Sequence, residues 1–231
     1  MTRSARLKLA GLALTLAAAG ATALPALAAP RRDEGLWKAA EAARPEQLKL
    51  LETLVNIDSG TGDVEGGRRV LDILAPRLEA LGARVERVPA EIPGLPDNLV
   101  ATLKGKGKAK ILMIGHIDTV FEPGTTKTWR YAVSGDRATG PGVGDEKGGV
   151  IQAVVALEIL TARGFRNFDT LTLLLETSEE RGSPGTRALI DRLVKSHEVE
   201  LNLEPGDAPD KVTVWRKGSS TFNIDVKGRP A

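Results

Sequence analysis

The sequence predicts an α/β domain built on a mainly parallel central sheet. The continuous apolar run Ile111 to Gly115 reads as a strand buried on both faces, and the leucine-rich Thr170 to Leu175 as a second buried strand. Segments of helical spacing lie between the predicted strands, and that alternation leads to a largely parallel sheet covered by helices. A third observation marks where the domain gives way. From Lys211 two strand-like runs, Val212 to Trp215 and Thr221 to Val226, follow one another with no helix between, which suggests a different module. Residues 29–215 are assigned to the main domain and residues 216–231 to the beginning of a smaller one.

Each element has its own reason. Glu34 to Asn56 carries Leu48, Leu51, Leu54 and Val55 on one helical face. A Gly- and Asp-rich turn, Ser59 to Gly62, separates it from a second helix, Glu65 to Leu81. There Val70, Leu71, Leu74, Leu78 and Leu81 point inward, Pro76 is expected to kink the helix, and Gly82 ends it. Arg84 to Val88 and Asn98 to Leu103 read as strands around a Pro-rich loop, and Lys104 to Lys110 as a solvated basic turn. After Gly115 comes a long irregular connection with Trp129 and Tyr131, then the glycine-rich Gly140 to Gly144. A long apolar helix is expected over Gly148 to Gly164, another helix over Thr186 to Ser196, and a short strand over Glu200 to Leu203.

Arg3, Arg6 and Lys8 precede an apolar stretch, Leu9 to Ala19. Pro25 breaks it, and Ala26-Leu27-Ala28 supplies small residues at cleavage spacing, so residues 1–28 read as an export signal cut after Ala28. The competing reading is an uncleaved anchor, since no charge appears from Leu9 to Ala29. Its Ala, Gly and Thr content and Pro25 make a poor spanning helix. No stable membrane anchor is expected, and the mature chain is expected to be periplasmic or secreted. Without the three leader cations the chain has 29 basic against 30 acidic residues. That near-neutral balance gives no ground for nucleic acid or an anionic membrane as partner. There are no cysteines, which excludes disulfides and thiolate metal sites. A metal would have to be held by His, Asp and Glu.

Those residue types stand at the predicted strand exits. His116 and Asp118 follow the first buried strand, and at a spacing of two they share one side of an extended chain. An imidazole with a carboxylate beside it suits a metal ligand whose other nitrogen is held by an acid, although a satisfied strand-end histidine would look the same. Asp145 lies between Gly140-Pro-Gly-Val-Gly144 and the long helix. A phosphate cradle there is excluded by the charge of Asp145 and Glu146 and by the absence of the G-x-x-x-x-G-K-[ST] order. Glu179 and Glu180 follow the second buried strand, where a solvated acidic pair is the plain alternative, and Glu204 follows the last one. Ligands of open α/β sheets gather beyond the carboxyl ends of the strands. If these acids meet, their mutual repulsion requires a cation, and histidine mixed with carboxylates favours Zn2+, with Mn2+ or Co2+ as substitutes.

The segments Gly115-His-Ile-Asp-Thr119, Gly140-Pro-Gly-Val-Gly-Asp-Glu-Lys-Gly-Gly149, Glu176-Thr-Ser-Glu-Glu-Arg-Gly-Ser183 and Leu203-Glu-Pro205 resemble the successive signatures of the M20 metallopeptidases. Within that family the likeness is greatest to the glutamate carboxypeptidase branch, the carboxypeptidase G type, which Leu54-Val-Asn-Ile-Asp-Ser-Gly-Thr-Gly62 also resembles. The resemblance runs from about Trp37 to Ala231. It implies a zinc exopeptidase-like catalytic domain interrupted by a smaller α+β, ferredoxin-like lid and dimerisation domain. It further implies that His116 and Glu204 bind one zinc and Glu180 the other, with Asp145 bridging them. Asp118 would orient His116, Glu179 would be the general base, and the peptide after Asp145 would be cis.

The implied reaction is hydrolysis of the amide bond before a C-terminal residue, glutamate, in a peptide or N-acyl amino acid. A deacylase or dipeptidase of the same family is the alternative. A non-catalytic metal-binding module or an inactive fragment is the other, because two further histidines implied by the resemblance are not found in these residues. One would complete the second metal site, and the other would follow Gly228-Arg-Pro-Ala231. The chain is therefore expected to be truncated and to turn over little substrate alone, and the complete protein to pair through its small domain. His197 matches no ligand position and is expected at the surface. Arg181 stands where the branch has lysine and is expected to be structural. Trp37, Trp129 and Trp215 are expected to pack, Trp129 also at a cleft entrance.

Overall fold

The computed structural model describes residues 32–206, 208, 211–215, 217, 218, 220 and 222–228. The expected leader and its cut after Ala28 lie outside them. The chain divides into the units Met1–Asp33 and Glu34–Ala231, and the architecture below is that of the second.

Helix α1, Glu34–Val55, buries Leu50, Leu51, Leu54 and Val55 and runs through Pro45. Helix α2, Val64–Ala80, is capped by Asp63, whose Oδ1 accepts the Gly66 N–H at 2.8 Å. It buries Val70, Leu71, Leu74 and Leu78 and continues past Pro76. Strands β1, Arg84–Val88, and β2, Asn98–Lys104, form an antiparallel pair. Strand β3, Lys110–His116, is followed by the one-turn helix α3, Thr125–Thr128, and a hairpin of β4, Ala132–Ser134, with β5, Arg137–Thr139. Helix α4, Lys147–Ala162, strand β6, Thr170–Glu176, helix α5, Arg187–Ser196, and strand β7, Val199–Asn202, complete the domain, with a 3-10 turn at Glu179–Arg181.

The sheet order is β1-β2-β6-β3-β7. β6 and β7 run parallel to β3, and β2 is antiparallel to both β1 and β6. Four of the five strands thus point the same way and β2 alone is reversed, so the mainly parallel sheet is present with one antiparallel member. Side-chain alternation sorts the two faces. Leu171, Leu173, Leu175 and Met113 join α1, α2 and α4 in the larger core. Leu112, Ile114, Leu174 and Val100 meet Leu189 of α5 in the smaller one. Three layers result, with the helix-covered sheet in the middle.

Two expectations are corrected. The connection after Gly115 is not irregular throughout, since it holds α3 and the β4–β5 hairpin. Val212 to Trp215 and the described part of Thr221 to Val226 form no strand. Val212, Val214, Trp215, Phe222, Ile224 and Val226 are instead 74% to 92% exposed. A strand exists only where a neighbour supplies its ladder, and alternation of side chains cannot provide that neighbour.

Candidate metal centre

Three parallel strands end together. His116 closes β3 in register with Glu176 of β6, and the Ile117 N–H donates to the Glu176 carbonyl at 2.9 Å. The Leu203 N–H donates to the Ile114 carbonyl at 2.9 Å, prolonging the β3–β7 ladder so that Glu204 leaves the sheet beside His116. The start of α4 brings in Asp145 and Glu146, which are joined by a cis peptide. Glu179 and Glu180 sit in the 3-10 turn just past β6.

The His116 imidazole is 1% exposed, and its two nitrogens face different partners. Nδ1 lies 3.0 Å from the Asp118 carbonyl oxygen and 3.4 Å from Asp118 Oδ1. Nε2 lies 2.9 Å from Asp145 Oδ1, 3.4 Å from Glu204 Oε1, 3.7 Å from Glu146 Oε2 and 3.9 Å from Glu179 Oε2. Asp118 is 2% exposed. Its Oδ1 accepts the Glu179 N–H at 3.1 Å, and its Oδ2 accepts the Glu180 N–H at 3.3 Å and the Thr61 hydroxyl at 2.6 Å. Six residues singled out from sequence therefore converge on one point: His116, Asp118, Asp145, Glu179, Glu180 and Glu204.

Burial alone would pull the His116 imidazole down. Asp118, Glu146 and Glu204 outweigh it and push the group up to about 10. The acids around it are raised as well, in their case first by burial. Burial pushes Glu146 up to about 8 and Glu176 up to about 7. Glu180 and Glu204 are raised by burial, with Asp145 adding to both. The donor atoms of His116, Glu146 and Glu204 lie within 4.8 Å of one another, as do those of His116, Asp145 and Glu180. Donors sharing a tetrahedral ion at about 2.0–2.1 Å stand roughly 3.3 Å apart. The 3.4 and 3.7 Å separations around Nε2 come close to that spacing. One imidazole among carboxylates, with the buried Glu146 Oε1 lacking a hydrogen-bond partner among the described residues, suits a divalent cation of the zinc, manganese or cobalt type.

Two clefts open beside the centre and share Glu180. The larger, of about 560 Å³, is lined among others by Thr61, Thr119, Val120, Phe121 and Arg181. The smaller, of about 270 Å³, includes Gly142, Val143 and Asp145. Trp129 packs edge-on against Phe121, with ring centroids 5.2 Å apart, and so stands at the cleft border. Trp215 does not pack: it is 74% exposed. His197 is away from the centre, yet it is not a bare surface residue. Its Nδ1 lies 2.7 Å from the Leu193 carbonyl and its Nε2 2.9 Å from Thr172 Oγ1, so it ties the end of α5 to β6.

Sequence reasoning missed two acids at this centre. Glu146 and Glu176 are 1% and 3% exposed, and each has one oxygen without a hydrogen-bond partner among the described residues. The only signal was an acid directly after a ligand candidate or an apolar strand. Lys147 was missed as well. It is 1% exposed and donates from Nζ to the carbonyls of Leu54 and Ile57 at 2.9 and 2.8 Å, locking the start of α4 to the end of α1.

Residues 112–227 match the peptidase family M20/M25/M40. Carboxypeptidase G2 of a Pseudomonas species is 37% identical over 202 residues, which is 87% of this chain and 49% of that protein. A succinyl-diaminopimelate desuccinylase of Methylorubrum extorquens is 32% identical over 197 residues, covering 79% of this chain and 50% of the relative. Human carnosine dipeptidase 1 shares the fold, with a TM-score of 0.62 at 22% identity over 73% of this chain and 40% of that structure. The chain spans about half the length of the curated relatives it matches. Its strand exits bring one histidine and several carboxylates together, and the chain belongs to peptidase family M20/M25/M40.

Proposed function

We propose that this chain carries the metal-binding part of a zinc-dependent hydrolase that cleaves the amide bond before a C-terminal amino acid, glutamate, in peptides or N-acyl amino acids. The observation that carries the reading is His116 Nε2 facing carboxylate oxygens of Asp145, Glu146, Glu179 and Glu204 within 3.9 Å. In this reading His116 and Glu204 hold one metal, Glu180 the other, and Asp145 serves both. A bound divalent metal supplies Lewis-acid charge at such a centre. Asp118 keeps the imidazole turned with Nε2 towards the carboxylates. Glu179 has a side chain 41% exposed, so it can reach a water in the cleft, take its proton and deliver it to the leaving amine. The clefts that meet at Glu180 receive the substrate.

Relatives named succinyl-diaminopimelate desuccinylase, 30% to 32% identical, favour a second reading: removal of an acyl group such as succinyl from an amino acid. Both readings cleave an amide with the same residues. Export with cleavage after Ala28 and pairing of the complete protein through a smaller domain belong to the same proposal.

Calorimetric titration of the purified chain with Zn2+ should show uptake that His116→Ala abolishes. A chain that takes up neither zinc, manganese nor cobalt overturns the reading. Substrate class is read by giving the complete, metal-loaded protein an N-acyl-glutamate and an N-succinyl amino acid. Glutamate release supports the first reading, and succinate release without it moves the function to the second.

A further inference from the structure

Glu146 is one of two buried acids at the centre, with Glu176, that the proposed ligand set leaves out. Its carboxylate lies in a niche between two glycines. A Cβ at Gly115 would stand 2.9 Å from Leu203 Cδ1 and 3.2 Å from Glu146 Oε2, and one at Gly149 would stand 2.1 Å from the Leu203 carbonyl oxygen and 3.3 Å from Oε1. Both glycines therefore make room for Leu203 first, and the same clearance leaves this carboxylate its place. Oε2 accepts the His116 N–H at 2.8 Å, while Oε1 is buried with no partner among the described residues. A carboxyl kept only to fasten the His116 backbone would be expected to satisfy both oxygens, because an unpaired buried acceptor is costly. An apolar residue would fill the niche without that cost. Oε2 also stands 3.7 Å from His116 Nε2, on the side of Glu204. The neighbouring acids Asp145 and Glu146 therefore divide between two donor groups that share His116: Asp145 goes with Glu180, and Glu146 with Glu204.

We propose that Glu146 is a donor to the metal centre, sharing one divalent cation with His116 and Glu204. The inference rests on the metal-binding reading above and extends its ligand set by a residue of this chain. A third donor makes the His116–Glu204 position richer in oxygen and in negative charge. It strengthens retention of the cation there without drawing on the more exposed Glu179.

The test is Co2+ binding to the full 231-residue chain, followed by visible absorption and titration, with Glu146→Gln as the variant. Glu146→Gln should lower cobalt affinity by about tenfold or more and change the shape of the visible spectrum. Native affinity together with a native spectrum in that variant overturns the inference. Weaker binding with an unchanged spectrum overturns it too, since Glu146 would then only hold His116 in place. If Glu146→Gln does not fold, as read by its metal-free melting curve, Glu146→Asp keeps the charge and withdraws the oxygen. A changed spectrum in Glu146→Asp supports donation, and an unchanged one rejects it. Should the native chain itself show no cobalt absorption, the metal-binding reading fails first, an outcome distinct from the others.

Discussion

Asp118 Oδ1 accepts the backbone N–H of Glu179 at 3.1 Å, which fastens the loop after β3 to the turn after β6. The other oxygen accepts from Glu180 and Thr61, so one buried carboxylate aligns three segments around His116. Asp118→Asn turns an acceptor edge into a donor facing donors. The variant should lose about 1–3 kcal/mol of stability and bind metal about 10–100-fold more weakly. Thermal melting and zinc titration check both numbers. Native values in both would mean that the Asp118 charge does not organise the centre.

Glu179 is the acid near Nε2 whose removal should separate binding from chemistry. It is the farthest of the four oxygens there, at 3.9 Å, and its side chain is 41% exposed. In the complete protein Glu179→Gln should leave zinc uptake close to native and lower turnover by roughly 10²–10⁴. Metal content and hydrolysis are measured on the same sample. Unchanged turnover removes Glu179 from the mechanism, and lost metal makes it a ligand.

The strand exits were legible in the sequence because continuous apolar runs locate buried parallel strands, and the polar residues right after them locate the open end of the sheet. His116, Glu179 and Glu204 follow from that rule, and Asp145 from its glycine-rich approach. The burial of Glu146 and Glu176 was not legible. An acid beside a turn reads as solvated until tertiary packing closes over it, and here the closing surfaces come from Gly115, Gly149 and the neighbouring strands. The β4–β5 hairpin escaped because its two strands are only three residues long and mostly exposed, too short for a pattern to show. His197 looked like a surface residue because its partner Thr172 lies 25 positions away on β6.

The metal-free chain should lose stability as pH rises through the neutral range. Burial raises Glu146 to about 8 and Glu176 to about 7, both from an ordinary value of 4.5. The folded state then binds more protons than the unfolded chain between those values. The associated stability is complete below about 4.5 and lost as pH passes 7 to 8. His116 acts with the same sign up to about 10, because Asp118 outweighs its burial. Lys147, lowered by burial to about 8 from 10.5, acts oppositely and restores stability between those values. Melting temperature in chelator should therefore fall from pH 5 to 8, with a smaller fall in Glu146→Gln and Glu176→Gln. Added zinc should reverse the slope, since metal binding displaces those protons. A metal-free profile that is flat from pH 5 to 8 would sink the account.

Gly149 tests how closely α4 sets the position of Glu204. A Cβ there would lie 2.1 Å from the Leu203 carbonyl oxygen, and Leu203 leads directly into Glu204. Helix propensity by itself favours Gly149→Ala by about 1 kcal/mol. The opposing contact is with backbone, which cannot rotate aside, and overpacking of this kind costs about 1–3 kcal/mol. The contact should win, because relief requires α4 and the segment after β7 to separate. Gly149→Ala is expected to melt lower than the native chain and to bind zinc more weakly, as Glu204 is carried away from His116. A higher melting temperature with native zinc affinity would show that the Leu203 segment yields freely, and that Glu204 is positioned by its own Asn202 hydrogen bond at 2.9 Å rather than by the helix.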